Sequence, residues 1–214
     1  VQFFKIQSLI PLFKFDEEKA DEIVSLFSMV LSLGTYVQTN FHLCHGFSTI
    51  SHILKHYDGK HLTYSLYSKF VNLNNTLTVQ ELKTDLIENI IVRFDLWCRS
   101  SSIETKQRII KHWLQVNSEY DTNFNGNYRT FDDIIFSLDY FDAIPLKQSL
   151  LKLLFKVEKD DQISLENTNK FIKFIIYQAK VLKRDVSYLL EFLLINCQFF
   201  ASSNLFVNLA TLLS

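Results

Sequence analysis

The chain has 214 residues, enough for one well-buried domain or a short solenoid. Hydrophobic residues make up 48%, with 20 Phe and 9 Tyr but only 4 Gly and 2 Pro, so the turn chemistry of many β-hairpins is missing and helices are expected. The 22 basic and 23 acidic side chains leave a net charge of −1, which gives no general attraction for a phosphate backbone and argues against a nucleic-acid partner.

In chain order, the first apolar stripe is Ile23, Leu26, Phe27, Val30 and Leu31, spaced as on one face of a helix. Gly34, Thr35 and Gln38 suit a helix stop and restart. A shorter stripe at Ile50, Ile53, Leu54 and Tyr57 closes on Asp58-Gly59, and a further break is expected over 72–76. Thr78 and Glu81 then read as a T-x-x-E capping box ahead of Leu86, Ile87, Ile90, Ile91 and Phe94. Ser101 and Glu104 read as a second box before Ile109, Ile110, Trp113 and Leu114.

The polar stretch 117–128 is the longest expected loop. Beyond it, Thr130 with Asp133 repeats the box pattern, and Pro145 suits the first residue of a helix, where its missing N–H is harmless. Leu150, Leu151 and Leu154 form a short stripe. Two helices, one carrying Phe171 to Val181 and one carrying Val186 to Phe199, are apolar on more than one face and are expected as inner helices of a stacked array. A last stripe is Leu205, Phe206, Leu209, Leu212 and Leu213. The uncharged runs 23–41 and 192–213 are broken by polar residues, Asn196, Gln198 and the cluster Ala201 to Asn204 among them, so buried helices are favoured over membrane spans.

The breaks fall at intervals that suit helical hairpins or triplets, and armadillo or HEAT units of about 40 to 47 residues fit roughly four or five times. The expected fold is therefore all-α, an armadillo/HEAT-like α-solenoid of stacked helices. Residues 1–214 read as a single such segment, without a domain linker and without a legible internal sequence repeat. With Val1 in place of a secretory leader at its start, the segment reads as an internal fragment of a larger protein.

The run RFDLWCRSSSIE, Arg93 to Glu104, stands out. Phe94 and Trp97 offer large apolar surfaces to a helix corner, while Asp95 and Arg99 are close enough in sequence to neutralise each other or cap exposed backbone. A packed corner is the first reading, and an Arg99 that binds a partner is the alternative. This run continues as SIETKQRIIKHWL and is followed by NYRTFDDIIFSLDYF, Asn127 to Phe141. Together they resemble the helical region upstream of the BEACH module in the beige, LYST and neurobeachin family, whose members carry a similar aromatic-Asp-hydrophobic-Trp-Ser-Arg-Ser stretch. Cys98 stands where that pattern has serine. HGFSTISHILKHYDGKHLTYSLYSKFVNL, His45 to Leu73, is similar to the same family's glycine-led helix pair, so the resemblance spans 34–141.

The resemblance implies an armadillo-like piece of a large trafficking scaffold, with Phe94, Asp95, Trp97 and Arg99 as a structural family motif. If the source is fungal, a use of Phe, Asn and Lys that the sequence allows, a beige homologue linked to vacuolar sorting is the particular case implied.

Candidate chemistry is sparse. His42, Cys44 and His45 form an H-x-C-H cluster, but these positions do not converge on one ion and no second Cys/His group stands at finger spacing, so no metal is expected. Ser48, His52, His56, Asp58 and His61 lack a G-x-S-x-G elbow or a Gly-rich oxyanion loop, so no catalytic triad is expected. Phosphate-loop and dinucleotide motifs are absent, and no cofactor is expected. The acidic groups Asp16-Glu17-Glu18, Asp132-Asp133 and Asp160-Asp161 read as helix-start charges. Lys180, Lys183 and Arg184 read as a helix C-terminal complement that could also touch acidic partners or lipid headgroups.

Cys44, Cys98 and Cys197 are odd in number and set among apolar residues, as free thiols in a reducing compartment are. The expectation is a cytoplasmic, non-catalytic scaffold that binds protein partners, touches endosomal or vacuolar membranes peripherally through its parent protein, and takes no nucleic acid. The alternatives are a generic HEAT/ARM-type adaptor or transport protein outside the family and an all-helical enzyme with a dispersed site.

Overall fold

The computed structural model describes residues 6–120, 131–141, 143–157 and 163–200. Among these, every named element is helical, and extended pairing is limited to one isolated parallel bridge between Ile163 and Phe200. The chain divides into two compact units, Val1–Ile109 and Ile110–Ser214.

In the first unit, α1 (Leu12–Phe15) leads into α2 (Ala20–Leu31), α3 (Thr35–Leu43) and α4 (Gly46–Leu54). The next helices are α5 (Tyr64–Thr76), α6 (Gln80–Leu86) and α7 (Phe94–Trp97), with a π-helical turn, Ile87–Ile91, prolonging α6. Gly34 turns the chain between α2 and α3 at φ 144°, a conformation that suits glycine alone. Gly46 opens α4 directly against the ring of Phe41, where a Cβ would collide.

The phenylalanines form a continuous row. Phe47 stands edge-on to Phe41 at 5.0 Å, Phe41 meets Phe27 at 5.5 Å, Phe27 meets Phe13 at 5.5 Å, and Phe13 stacks on Phe70 at 6.5 Å. All of these rings are essentially excluded from water. Rings of this size dominate core energetics, at about 25 cal/mol per Å² of apolar surface removed from solvent.

α2 packs most extensively against α5, and α3 packs on α6. The side-chain ties between these layers fall at one recurring separation. Ser65 to Asp21, Lys69 to Ser25 and Tyr57 to Phe13 each span 44 residues, His42 to Asp85 spans 43, and Thr78 to Gln38 spans 40. That interval is one armadillo or HEAT unit. Each helix therefore lies beside its counterpart one unit later, the arrangement of a solenoid, in which a repeat touches its neighbours.

The second unit shows the same spacing. Its helices include α8 (Ile103–Tyr120, entering from the first unit), α9 (Phe131–Ser137), α10 (Ile144–Leu151), α11 (Leu154–Val157), α12 (Leu165–Ile176) and α13 (Ser187–Ile195). α9 packs on α12 and α10 on α13. Lys170 to Asp132 spans 38 residues, Gln178 to Asp139 spans 39, and Gln148 to Glu191 spans 43. Phe171 lies 5.7 Å from Phe200 and 6.0 Å from Phe192, which in turn lies 5.4 Å from Phe155.

Several expected boundaries move. The break expected over 72–76 is helical, because Leu73 and Asn74 are buried and α5 continues through Thr76. The expected loop 117–128 starts later, since α8 runs to Tyr120; residues 121–130, including the Thr130 box, lie outside the described residues. Leu26 of the first stripe is 38% exposed, while Ile23, Phe27 and Leu31 are buried. Of the two helices expected to be inner, α12 buries Phe171, Ile172, Phe174 and Ile175, but α13 exposes Leu194 and Ile195. Pro145 stands in the first turn of α10. The 205–213 stripe and the Asp160-Asp161 pair fall outside the described residues. Among the described residues no helix is long and apolar enough to cross a membrane.

Candidate functional site

The corner at 93–101 is built by three breaks in helix geometry. After the π turn Ile87–Ile91, the chain passes through Val92 and Arg93, makes the single helical turn α7, and leaves through Cys98 towards α8. Phe94, Leu96, Trp97 and Cys98 are buried. The Trp97 indole Nε1–H donates to the carbonyl of Ile90 at 2.6 Å, a carbonyl that also accepts from Arg93 N–H at 3.4 Å, so the indole reinforces the end of the π turn. Its ring stands edge-on to Tyr67 of α5 at 5.1 Å.

Asp95 does not pair with Arg99. Arg93 grips it in a fork through Nε at 2.9 Å and Nη2 at 3.0 Å, and Lys55 reaches it through Nζ at 2.6 Å. Because α7 is one turn long, Arg99 lies past its end and donates instead to the carbonyl of Lys55. Burial opposes the charged form of Asp95, but the hydrogen bonds from Arg93 and Lys55 outweigh it and hold the carboxyl down at about 2. Burial pushes the Cys98 thiol well above its ordinary value, so it is a poor nucleophile.

Gly59 completes the corner. Its carbonyl accepts from Ser101 N–H at 3.0 Å, and a Cβ there would collide with the carbonyl oxygen of Arg99. The segment from Lys55 to Gly59 is thus tied to 95–101 at Asp95, Arg99 and Ser101, and the arrangement is a brace between successive helical layers.

The expected capping boxes are rearranged. Thr78 precedes the N-cap of α6, and the buried Gln38 side chain takes the helix-start N–H groups instead, accepting from Thr78 N at 2.8 Å and Val79 N at 2.9 Å. Gln38 Nε2 donates to Leu31 O at 3.0 Å, so one carboxamide joins the end of α2 to the start of α6. At α8 the cap moves by one residue, with Ser102 accepting from Thr105 N at 3.2 Å. Asp16 does cap, accepting from Lys19 N at 3.2 Å.

The H-x-C-H residues go separate ways. His42 Nδ1 meets Asp85, Cys44 donates to Phe41 O at 3.2 Å, and His45 sits exposed at φ 53°. His52 packs edge-on to His56 at 5.1 Å, and Asp58 caps Lys60 N at 3.2 Å. In the second unit, Arg184 is tied to Asp139 at 2.6 Å, which leaves Lys180 and Lys183 of that cluster outside any ion pair among the described residues.

Helices that stack on counterparts one repeat away, braced by polar side chains at the same interval, define an all-helical α-solenoid of the armadillo/HEAT type. Residues 6–141 match the family described as Neurobeachin/BDCP, DUF4704 alpha solenoid region, and the chain belongs to that family. No curated protein and no solved structure matches it. Membership removes the alternative of an adaptor outside the family.

Proposed function

We propose that residues 1–214 form one armadillo-like segment of a larger BEACH-family protein and act there as a non-catalytic scaffold in vesicle or endolysosomal trafficking, vacuolar sorting included. Family membership over 6–141 carries this reading. Its physical support is the recurring tie between layers, which holds a helical surface stiff enough for partners to dock by shape and a few anchors.

In this reading the partners are proteins, and the segment is cytoplasmic and approaches endosomal or vacuolar membranes peripherally through its parent protein. A net charge of −1 supports a surface without general affinity for nucleic acid. Phe94, Asp95, Trp97 and Arg99 serve the scaffold structurally, as the motif that locks one layer to the next.

Deleting the codons for 6–141 from the parent gene tests the proposal, with delivery of a lysosomal or vacuolar hydrolase as the readout. Missorting of the hydrolase, with the rest of the parent protein at normal abundance, is expected. Unchanged delivery overturns the trafficking role.

A further inference from the structure

A groove of about 310 Å³ runs between α2 and α5. Its floor is Val24 and Leu73, and its walls carry Ser25 and Ser28 on one side and Ser68, Lys69 and Asn72 on the other. Wall residues face each other at the solenoid interval: the Lys69 ammonium donates to Ser25 Oγ at 2.5 Å across 44 residues.

The donor balance of this groove is uneven. An ammonium has three N–H donors, and Lys69 uses one on Ser25 without meeting a carboxylate among the described residues. The side chains of Ser28, Ser68 and Asn72 likewise have no hydrogen-bond partner among the described residues. The nearest acid along α2, Asp21, accepts from Ser65, which also lines the groove, so its charge stands at the groove's rim. A half-buried cation ringed by hydroxyl and amide donors over an apolar floor is suited to an oxyanion on an apolar stem.

We propose that this groove receives the carboxylate side chain of an acidic segment of a partner protein, seated on Lys69 and flanked by Ser28, Ser68 and Asn72. This deepens the docking reading above and rests on it. A single ammonium balances a single negative charge, and the groove lacks the guanidinium fork that favours phosphate. Asp21, one turn from Ser25, would repel a doubly charged phosphate about twice as strongly as a single carboxylate at the same distance.

The test uses the full chain with labelled methyl groups, following Val24 and Leu73 by NMR. The probes are acetyl-Gly-Leu-Glu-Gly-amide, its Gln analogue, and inorganic phosphate at matched ionic strength. The Glu peptide is expected to move both methyl signals and to bind about tenfold more tightly than the Gln analogue, the scale of one charge-assisted hydrogen bond. Lys69→Met should abolish the response. Should that variant fail to fold, Asp21→Asn should tighten the Glu peptide and Ser28→Ala with Ser68→Ala should weaken it several-fold.

Equal binding of Glu and Gln peptides, no response to either, or phosphate matching the Glu peptide overturns the assignment. Loss of sorting on deletion of 6–141 combined with a silent groove would sink this site alone, whereas peptide binding with intact sorting would sink the trafficking role alone.

Discussion

The carboxamide oxygen of Gln38 accepts from both the main-chain N–H and the hydroxyl of Thr78, at 2.8 and 3.2 Å. One uncharged side chain thereby replaces a local helix cap with a cap supplied from the previous layer. Gln38 is only 2% exposed and Leu31 is fully buried, so the Leu31 carbonyl has little access to water if Gln38 is lost, while Thr78 and Val79 lie nearer the surface.

Gln38→Leu should therefore cost about 2–3 kcal/mol, because Leu31 O and the N–H groups of Thr78 and Val79 would be left without it. Urea unfolding of the chain measures the loss. A change below about 0.5 kcal/mol would mean that water takes over these groups.

Trp97→Ala should cost about 3–5 kcal/mol, as large-to-small changes at fully buried sites do. Trp97→Phe keeps the apolar ring but removes the donor to Ile90 O, and should cost about 1–3 kcal/mol. The two unfolding midpoints show how much of the loss needs the whole ring and how much follows removal of the indole N–H together with part of the ring's volume.

Asp95 makes stability depend on acid. Its folded pKa of about 2 lies below its ordinary 3.8, so its contribution is fully present above about pH 4 and is lost as pH falls towards 2. Asp95→Asn should flatten that part of the urea-midpoint profile and lower its plateau at neutral pH. An unchanged slope between pH 4 and 2 would mean that the fork from Arg93 is not held in solution.

Gly59→Ala should destabilise by about 1–3 kcal/mol, since its new methyl group meets the Arg99 carbonyl and neither main chain can easily yield. Gly34→Ala meets open space but keeps a strained φ of 144°. Comparing the two melting temperatures distinguishes a steric cost from a conformational one.

Much of the helical layout was legible because apolar spacing reports burial directly: Ile23, Phe27 and Leu31 face inward, and so do Phe94 and Trp97. The end of α5 was not, because Asn72, Asn74 and Asn75 have weak helix propensity and packing of Leu73 and Asn74 overrides it. The partner of Asp95 is not legible in the sequence because an i, i+4 pairing assumes a helix that continues, and α7 does not.

The repeat itself escaped the sequence for a chemical reason. Positions one unit apart hold complementary residues instead of similar ones: Asp21 faces Ser65, and Ser25 faces Lys69. A search for self-similarity is blind to such partners. In the sequence Gln38 suits a helix restart, and nothing there signals that its partners lie forty residues on.

The meshing of α2 with α5 also constrains how the chain can change length. One residue added inside α5 would rotate everything after it by about 100°, throwing Lys69 or Asn72 out of phase with the serines opposite. Extra residues beside Gly34, where a side chain would meet open space, leave both sets of teeth engaged. Insertions and deletions in related chains should thus collect at that hinge and spare the interior of α5.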